Sequence, residues 1–173
     1  MKTHLTLIIL SLTLLILLAE ATPTPAIHPG PGWIPLDKRD DQRKECGPAN
    51  ITDRTSLASP LVADCRQLAF NIRDGGSWSV LGSAQKQILQ CKSCAFGVTG
   101  SSVTGRVDTY YVGNRDVIEM IDRSIGEFKG HVNEKGEGII GAEGNMPCKA
   151  MFSTDTIVNW GIYNTGFVPP PAP

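Results

Sequence analysis

The groups in this sequence that could do covalent or acid–base chemistry are few: five cysteines, three histidines and a scatter of carboxylates. Cys91 and Cys94 form a Cys-x-x-Cys pair, the spacing of a thiol–disulfide exchanger or of half a zinc site. A zinc site needs a second close pair, which Cys46, Cys65 and Cys148 do not supply. An exchange site needs a strand before the pair and a helix opening at its first thiol, whereas Ala95, Phe96 and Val98 follow and read as strand. His4 and His28 fall in a leader segment, so any catalytic triad rests on His131. No Ser, Cys or carboxylate is tied to His131 by spacing, and it reads as a surface or helix-end histidine. Asp64, Asp116, Glu119 and Asp122 are the tempting acids. Glycosidase chemistry needs two carboxylates across one cleft at ~5 to 10 Å, and nothing here fixes such a pair. Asp116 and Glu119 are better explained as partners of the positive end of a helix. Gly136-x-Gly138-x-x-Gly141 matches a dinucleotide-binding string, yet no strand precedes it and Pro147 follows where a helix should run. Trp78 and Trp160 could stack on sugar rings, but in strands they read as core. The expectation is a non-enzymatic protein with no catalytic residue, no metal ligand set and no cofactor.

The 173 residues amount to one domain, and 41% apolar with 19% charged residues make a packed core feasible. A formal net charge of −1 and a pI near 6.3 argue against nucleic acid as a general electrostatic partner. Residues 1–21 carry Lys2 and His4, an apolar run from Leu5 to Leu18, and Ala19-Glu20-Ala21 with the small-x-small shape of a signal-peptidase site. They read as a secretory signal. The run is shorter than the ~20 residues that span a bilayer, so no stable membrane anchor is expected. Residues 22–39 hold Pro23, Pro25, Pro29, Pro31 and Pro35, cannot form a core, and close on the dibasic bond Lys38-Arg39; they read as a propeptide. Export places the thiols in an oxidising route, where the five read as two structural bridges and one leftover, with the pairing open at this point. Asn50-Ile51-Thr52 is an accessible sequon and reads as a glycosylation acceptor.

Local patterns place these groups on elements. Ser59-Pro60 is a helix-start signal, and Leu61, Cys65, Leu68, Ala69 and Ile72 form one buried stripe that stops at Gly75-Gly76. Cys65 faces inward, as a bolt between helix and sheet. Trp78 to Leu81 reads as a short strand, Ile88 to Val98 as a longer one containing both close cysteines, and Val107 to Val112 as another beyond a turn-rich Gly100 to Gly105. Asn114 can cap a second helix, with Asp116 and Glu119 near its positive end and Lys129 near its negative end. Val117, Ile118, Ile121, Ile125 and Phe128 are its apolar stripe, ended by Gly130. Residues 131–145 are glycine-rich and polar around Ile139 and Ile140. Met146 to Phe152 and Thr156 to Tyr163 read as closing strands, the second alternating Ile157, Asn159, Gly161, Tyr163 against Val158, Trp160, Ile162. A proline-rich tail over 167–173 reads as frayed. The order of helix, about three strands, helix and two strands predicts an α+β sandwich: an antiparallel sheet of about five strands covered on one face by two helices.

Several strings in order carry a family likeness. They are Ser59-Pro60-Leu61-Val62-Ala63-Asp64-Cys65-Arg66-Gln67-Leu68, Ser93-Cys94-Ala95-Phe96-Gly97-Val98, and Val112-Gly113-Asn114 with Asp116-Val117-Ile118. Ser124-Ile125 with Phe128, Gly141-Ala142-x-Gly144-x-Met146-x-Cys148 and Val158-Asn159-Trp160-Gly161-Ile162-Tyr163 complete the set. Over Cys46 to Tyr163 the chain resembles the fungal extracellular-protein-two effector domain, the necrosis-inducing-factor family, within an effector domain bounded at 40–166. Its element order also resembles the smut-virus KP-type killer toxins, small disulfide-bonded α/β sandwiches. The resemblance implies a secreted fungal virulence protein that acts on host plant cells from outside and has no established enzymatic activity. It places the four family cysteines on Cys46, Cys65, Cys94 and Cys148, implies the pairs Cys65–Cys94 and Cys46–Cys148, and leaves Cys91 as the free thiol. The implied partner is a host or competitor cell-surface protein or glycan, met by a monomer. A killer-toxin-like antimicrobial role and a cell-wall carbohydrate-binding module are the alternatives.

Overall fold

The computed structural model describes residues 42–82, 84, 86–100, 108–152 and 155–166. The signal over 1–21, the propeptide over 22–39 with Lys38-Arg39, and the tail over 167–173 lie outside them. Among the described residues, no helix is long and apolar enough to cross a membrane.

The chain runs β1 (Thr52–Asp53), α1 (Val62–Asn71), β2 (Ser77–Leu81), β3 (Lys86–Cys91), β4 (Cys94–Gly100), β5 (Thr109–Gly113), α2 (Asn114–Glu127), β6 (Ala142–Lys149) and β7 (Asp155–Asn164). Five strands form an antiparallel sheet in the order β1-β6-β7-β4-β3, and β2 with β5 forms a separate two-stranded ladder. The α+β sandwich is therefore as expected, with four strands between the helices rather than about three. The extra strand comes from the stretch read as one element over Ile88 to Val98, which folds back on itself as the β3–β4 hairpin with Cys91 opposite Cys94.

Alternation on β7 sets the layers. Val158, Trp160 and Ile162 point inward and are buried, and they meet Phe96 and Val98 of β4 and Met146 and Cys148 of β6. The Phe96 and Trp160 rings stack with centroids 6.0 Å apart. Both helices cover this side: α1 packs on β3 and β4, and α2 packs on α1 and β5. Cys65, Leu68 and Ala69 of α1 and Val117, Met120 and Ile121 of α2 complete the core.

Three boundaries differ from the sequence pattern, and at the two helix starts a tertiary bond outcompetes the local signal. Helix α1 begins after Leu61 rather than at Ser59-Pro60. The Ser59 hydroxyl instead accepts the Ser56 N–H at 2.9 Å, while Leu61 N–H donates to Ser93 Oγ and Val62 N–H to the Gly138 carbonyl. Helix α2 is capped by Gly113, not Asn114. The backbone of Arg43 lies where a Gly113 side chain would stand, so no larger residue fits. Asn114 is fully buried, accepting from Arg43 N–H at 2.8 Å and donating to the Ile72 carbonyl at 3.0 Å. Lys129 lies beyond the Phe128 C-cap, and the last turn of α2 holds no basic residue. Strand β6 runs over Ala142–Lys149 rather than Met146 to Phe152; Met151 and Phe152 are exposed past its end.

Two disulfides clamp these layers. Cys46–Cys148 spans 102 residues and ties the segment before β1 to β6, and Cys65–Cys94 spans 29 residues and ties α1 to β4. In the chain-entropy model, closing loops of these lengths contributes about 4.7 and about 3.6 kcal/mol. Cys91 is a buried free thiol.

Candidate functional site

The Cys-x-x-Cys pair sits in a two-residue hairpin turn. Lys92 is held at φ 50°, and a neighbouring helix supplies what the turn sequence lacks. Asp64 of α1, 7% exposed, accepts Ser93 Oγ–H at 2.6 Å and Ser93 N–H at 3.2 Å, with Lys92 Nζ 3.7 Å from its other oxygen. Thr165 closes the far side, donating its hydroxyl to the Lys92 carbonyl and its N–H to the Ser93 carbonyl. Asp64 thus latches helix to hairpin. Burial pushes the Cys91 thiol up from its ordinary value, and the Asp64 charge adds to this. Its thiolate, the nucleophilic form, is scarce at neutral pH.

Asp116 is likewise structural. Its Oδ2 accepts N–H groups from Gly113 at 2.8 Å, Glu45 at 2.9 Å and Cys46 at 3.1 Å, so one oxygen caps α2 and holds the N-terminal segment beside it. Burial pushes the carboxyl above its ordinary value, against the pull of these three donors. That role exceeds the dipole partnership expected of it. Glu119 pairs with Lys44 at 2.6 Å, and Asp122 is exposed.

His131 is exposed, and its Nε2 lies 3.0 Å from Asp53 Oδ2. Asp53 also accepts the Thr55 N–H at 2.8 Å. Its slight burial raises its pKa, but the Thr55 bonds and His131 outweigh that, and the net direction is down. The pair is a brace between β1 and the loop after α2, and its members are 78 residues apart, a distance no spacing rule could bridge. Beside it a cleft of about 440 Å³ lies between the start of α1, the end of α2 and the 130–140 loop. Val62, Ile125, Phe128 and Ile139 line it with Arg66, Lys129, His131 and Glu137, and its lining brings no hydroxyl or thiol that could act as a nucleophile. Among the described residues no three His, Cys, Asp or Glu side chains converge as metal ligands.

Trp78 and Trp160 are 5% and 3% exposed, so neither forms a sugar-stacking platform; both serve the core. The sheet face away from the helices is built by the other half of the alternation; its β4 residues Ala95, Gly97 and Thr99 are buried, while Ile157 and Asn159 of β7 are exposed. Ile157, Asn159, Gly161 and Tyr163 of β7 are flanked on β4 by Thr99, Gly97 and Ala95, and on β6 by Pro147, Asn145 and Glu143. Gln87 and Gln90 of β3 extend the rows beyond Gly97 and Ala95. The Tyr163 ring leans diagonally across Gly97, where a Cβ would come within 2.8 Å of its Cε1. The outward stripe on β7 was visible in the sequence; its alignment with Gly97 and Gln87 depended on register. Asn50 is exposed at the neighbouring edge, its Oδ1 accepting the Asn145 N–H at 2.7 Å.

Comparison with known proteins matches residues 45–148 to the Hce2 family, described as "Pathogen effector; putative necrosis-inducing factor". A curated relative, "Probable chitinase LysM18" of Penicillium expansum, is 33% identical over 120 residues, 69% of this chain and 8% of that protein. The chain thus spans about 8% of the length of the relative it matches. The family match opens beside Cys46, closes on Cys148 and covers more than half of the sequence, so this protein belongs to the Hce2 family of pathogen effectors.

Proposed function

We propose that the protein is an exported effector that acts outside the cell producing it, as a non-enzymatic ligand for the surface of a host plant cell. The observation that carries this reading is the coincidence of the effector-family match with a domain clamped by two disulfides, bonds that persist in oxidising, extracellular surroundings. Two of the acids that could have served catalysis are spent otherwise: Asp64 latches a hairpin and Asp116 caps a helix. Export through the 1–21 signal, cleavage after Lys38-Arg39 and glycosylation at the exposed Asn50 belong to the same reading. The test is infiltration of oxidised protein beginning at Asp40 into leaves, with cell viability as readout. A change produced by the oxidised protein and lost on reduction supports the proposal; equal viability with buffer and protein overturns it.

A second reading is contact with cell-wall carbohydrate, favoured by the similarity to a protein named as a chitinase. Retention on insoluble cell-wall polysaccharide tests it, and its absence on every polysaccharide removes it.

A further inference from the structure

We infer that the cleft between the start of α1, the end of α2 and the 130–140 loop is a binding site for a free long-chain fatty acid. Arg66 and Lys129 meet its carboxylate, and Val62, Ile125 and Phe128 carry its hydrocarbon. The inference goes beyond the surface-ligand reading, and the infiltration test bears on neither outcome.

The floor is apolar and recessed. Val62 of α1 and Ile125 and Phe128 of the α2 stripe are half-buried, packed against the core while lining the cleft, with Ile139 buried behind them. Hydrocarbon in a concave site favours an apolar occupant that displaces water from it. A dry cavity of ~150 Å³ takes the six carbons of benzene, so a cleft of about 440 Å³ has room for on the order of 15 carbons.

The walls favour a hydrocarbon over a peptide. Val62, Ile139 and Ile140 donate their N–H groups to the carbonyls of Gly138, His131 and Pro60 at 2.9, 3.1 and 3.0 Å. Glu137 N–H donates to Asn133 Oδ1 at 3.0 Å. A peptide laid in the cleft would find these donors taken and would bury amides of its own without replacing their water, which is costly. An alkyl chain brings no such groups.

Charge at the rim selects the head. The cleft meets α1 at its N-terminal turn and α2 at its C-terminal turn, so the two helix dipoles offset and side chains set the sign. Among the described residues Lys44, Arg54, Arg73, Lys92, Arg123 and Lys149 each sit beside a carboxylate, whereas Arg66 and Lys129 do not. Both are exposed on the rim. The acid in the lining, Glu137, accepts from Asn133 Nδ2 at 2.9 Å, and His131 is held by Asp53 at 3.0 Å. Two free cations against one engaged acid complement a single anionic head. The apolar surface is sunk behind this rim, which suits one extended chain rather than the flat surface of a bilayer.

The experiment uses the oxidised protein beginning at Asp40, a fluorescent polyene fatty acid as probe, and dodecanoate, dodecanol and dodecyltrimethylammonium as competitors, all below their micellar concentrations. Flotation with phosphatidylcholine–phosphatidylserine vesicles is the parallel arm, and near-ultraviolet circular dichroism reports the native fold of each variant. The expected result is probe binding displaced by dodecanoate at a concentration at least tenfold lower than dodecanol requires, with no displacement by the cationic amphiphile and no flotation. Arg66→Glu and Ala63→Phe, whose ring enters the cleft from its rim, should each weaken binding at least tenfold. Arg115→Glu, the same charge change at the far end of α2, should leave it within twofold of wild type. Dodecanol matching dodecanoate, or natively folded Arg66→Glu matching wild type, overturns the anionic head. Equal loss in Arg115→Glu and Arg66→Glu overturns the site, and so does absence of probe binding. Flotation without dodecanoate binding overturns the free fatty acid in favour of a membrane surface. If Ala63→Phe does not fold, Arg66→Glu against Arg115→Glu decides, both being changes at exposed side chains.

Discussion

Replacing Asp116 with alanine removes one oxygen and strands three donors. The N–H groups of Gly113 and Cys46 are buried and that of Glu45 is half-buried, at 2.8, 3.1 and 2.9 Å from Oδ2. A buried donor left without a partner costs ~1 to 3 kcal/mol, and water can reach only the Glu45 group, so the expected loss is about 3 to 4 kcal/mol. That is a large share of the ~5 to 15 kcal/mol that stabilises a typical domain. With a urea slope of about 2 kcal/mol/M, the unfolding midpoint of the oxidised protein at neutral pH should fall by roughly 1.5 to 2 M, read by tryptophan fluorescence. Asp116→Asn keeps a carbonyl acceptor and sheds the penalty of burying a charge, so it should cost only about 1 kcal/mol. The pH dependence separates the two effects. Burial raises the folded-state value above 3.8, so this group's contribution is complete below that pH and fades as pH rises through the folded value. Wild type should therefore lose stability relative to Asp116→Asn in the range just above ~pH 4. An alanine variant within about 0.5 M of the wild-type midpoint, or an asparagine variant as weak as the alanine one, would refute the argument.

The joint change Cys65→Ser with Cys94→Ser opens the loop of 29 residues and should cost about 3 to 4 kcal/mol in the same urea assay, with Cys46–Cys148 still closed by mass mapping. Gly113→Ala should unfold the N-terminal segment or the whole domain, because its methyl meets the Arg43 backbone; amide exchange at residues 43–46 would register this, and unchanged protection there would contradict it. Asp53 has a lowered value, so its contribution is present above its unfolded pKa and lost as pH falls through the folded one. Asp53→Asn should flatten the acid limb of thermal stability below ~pH 4, and an unchanged limb would remove the brace from the account. Cys91, buried and with its thiol pushed up, should resist iodoacetamide at neutral pH until denaturant is added; rapid alkylation of the native protein would contradict that placement.

The elements legible in the sequence were those whose order is written locally. The stripe Val117, Ile121 and Ile125 announces α2 without help, and the alternation around Trp160 announces β7 and even which half of it faces out. The hairpin at Cys91–Cys94 was not legible, because Lys92-Ser93 has neither glycine nor asparagine. Its turn is imposed by Asp64 from 29 residues away. Asn114 misled for a related reason: residue type marked it as a cap, but its amide is spent on Arg43 and Ile72, and the cap fell to Gly113. The sheet face away from the helices shows the same division. Tyr163 and Asn159 could be assigned outward from β7 alone, whereas their neighbours on β3, β4 and β6 exist only once the register is set.

Strand β7 comes last in the sequence yet sits between β6 and β4, in the middle of the sheet. Until it arrives, the flanking strands have unpaired backbone edges toward the same empty slot, the condition under which sheets recruit stray strands. The Cys65–Cys94 bridge needs nothing beyond β4 and can lock its hairpin early, but the sheet as a whole closes only when the final segment is threaded home. A chain cut after Lys149 would keep all five cysteines and still have no centre.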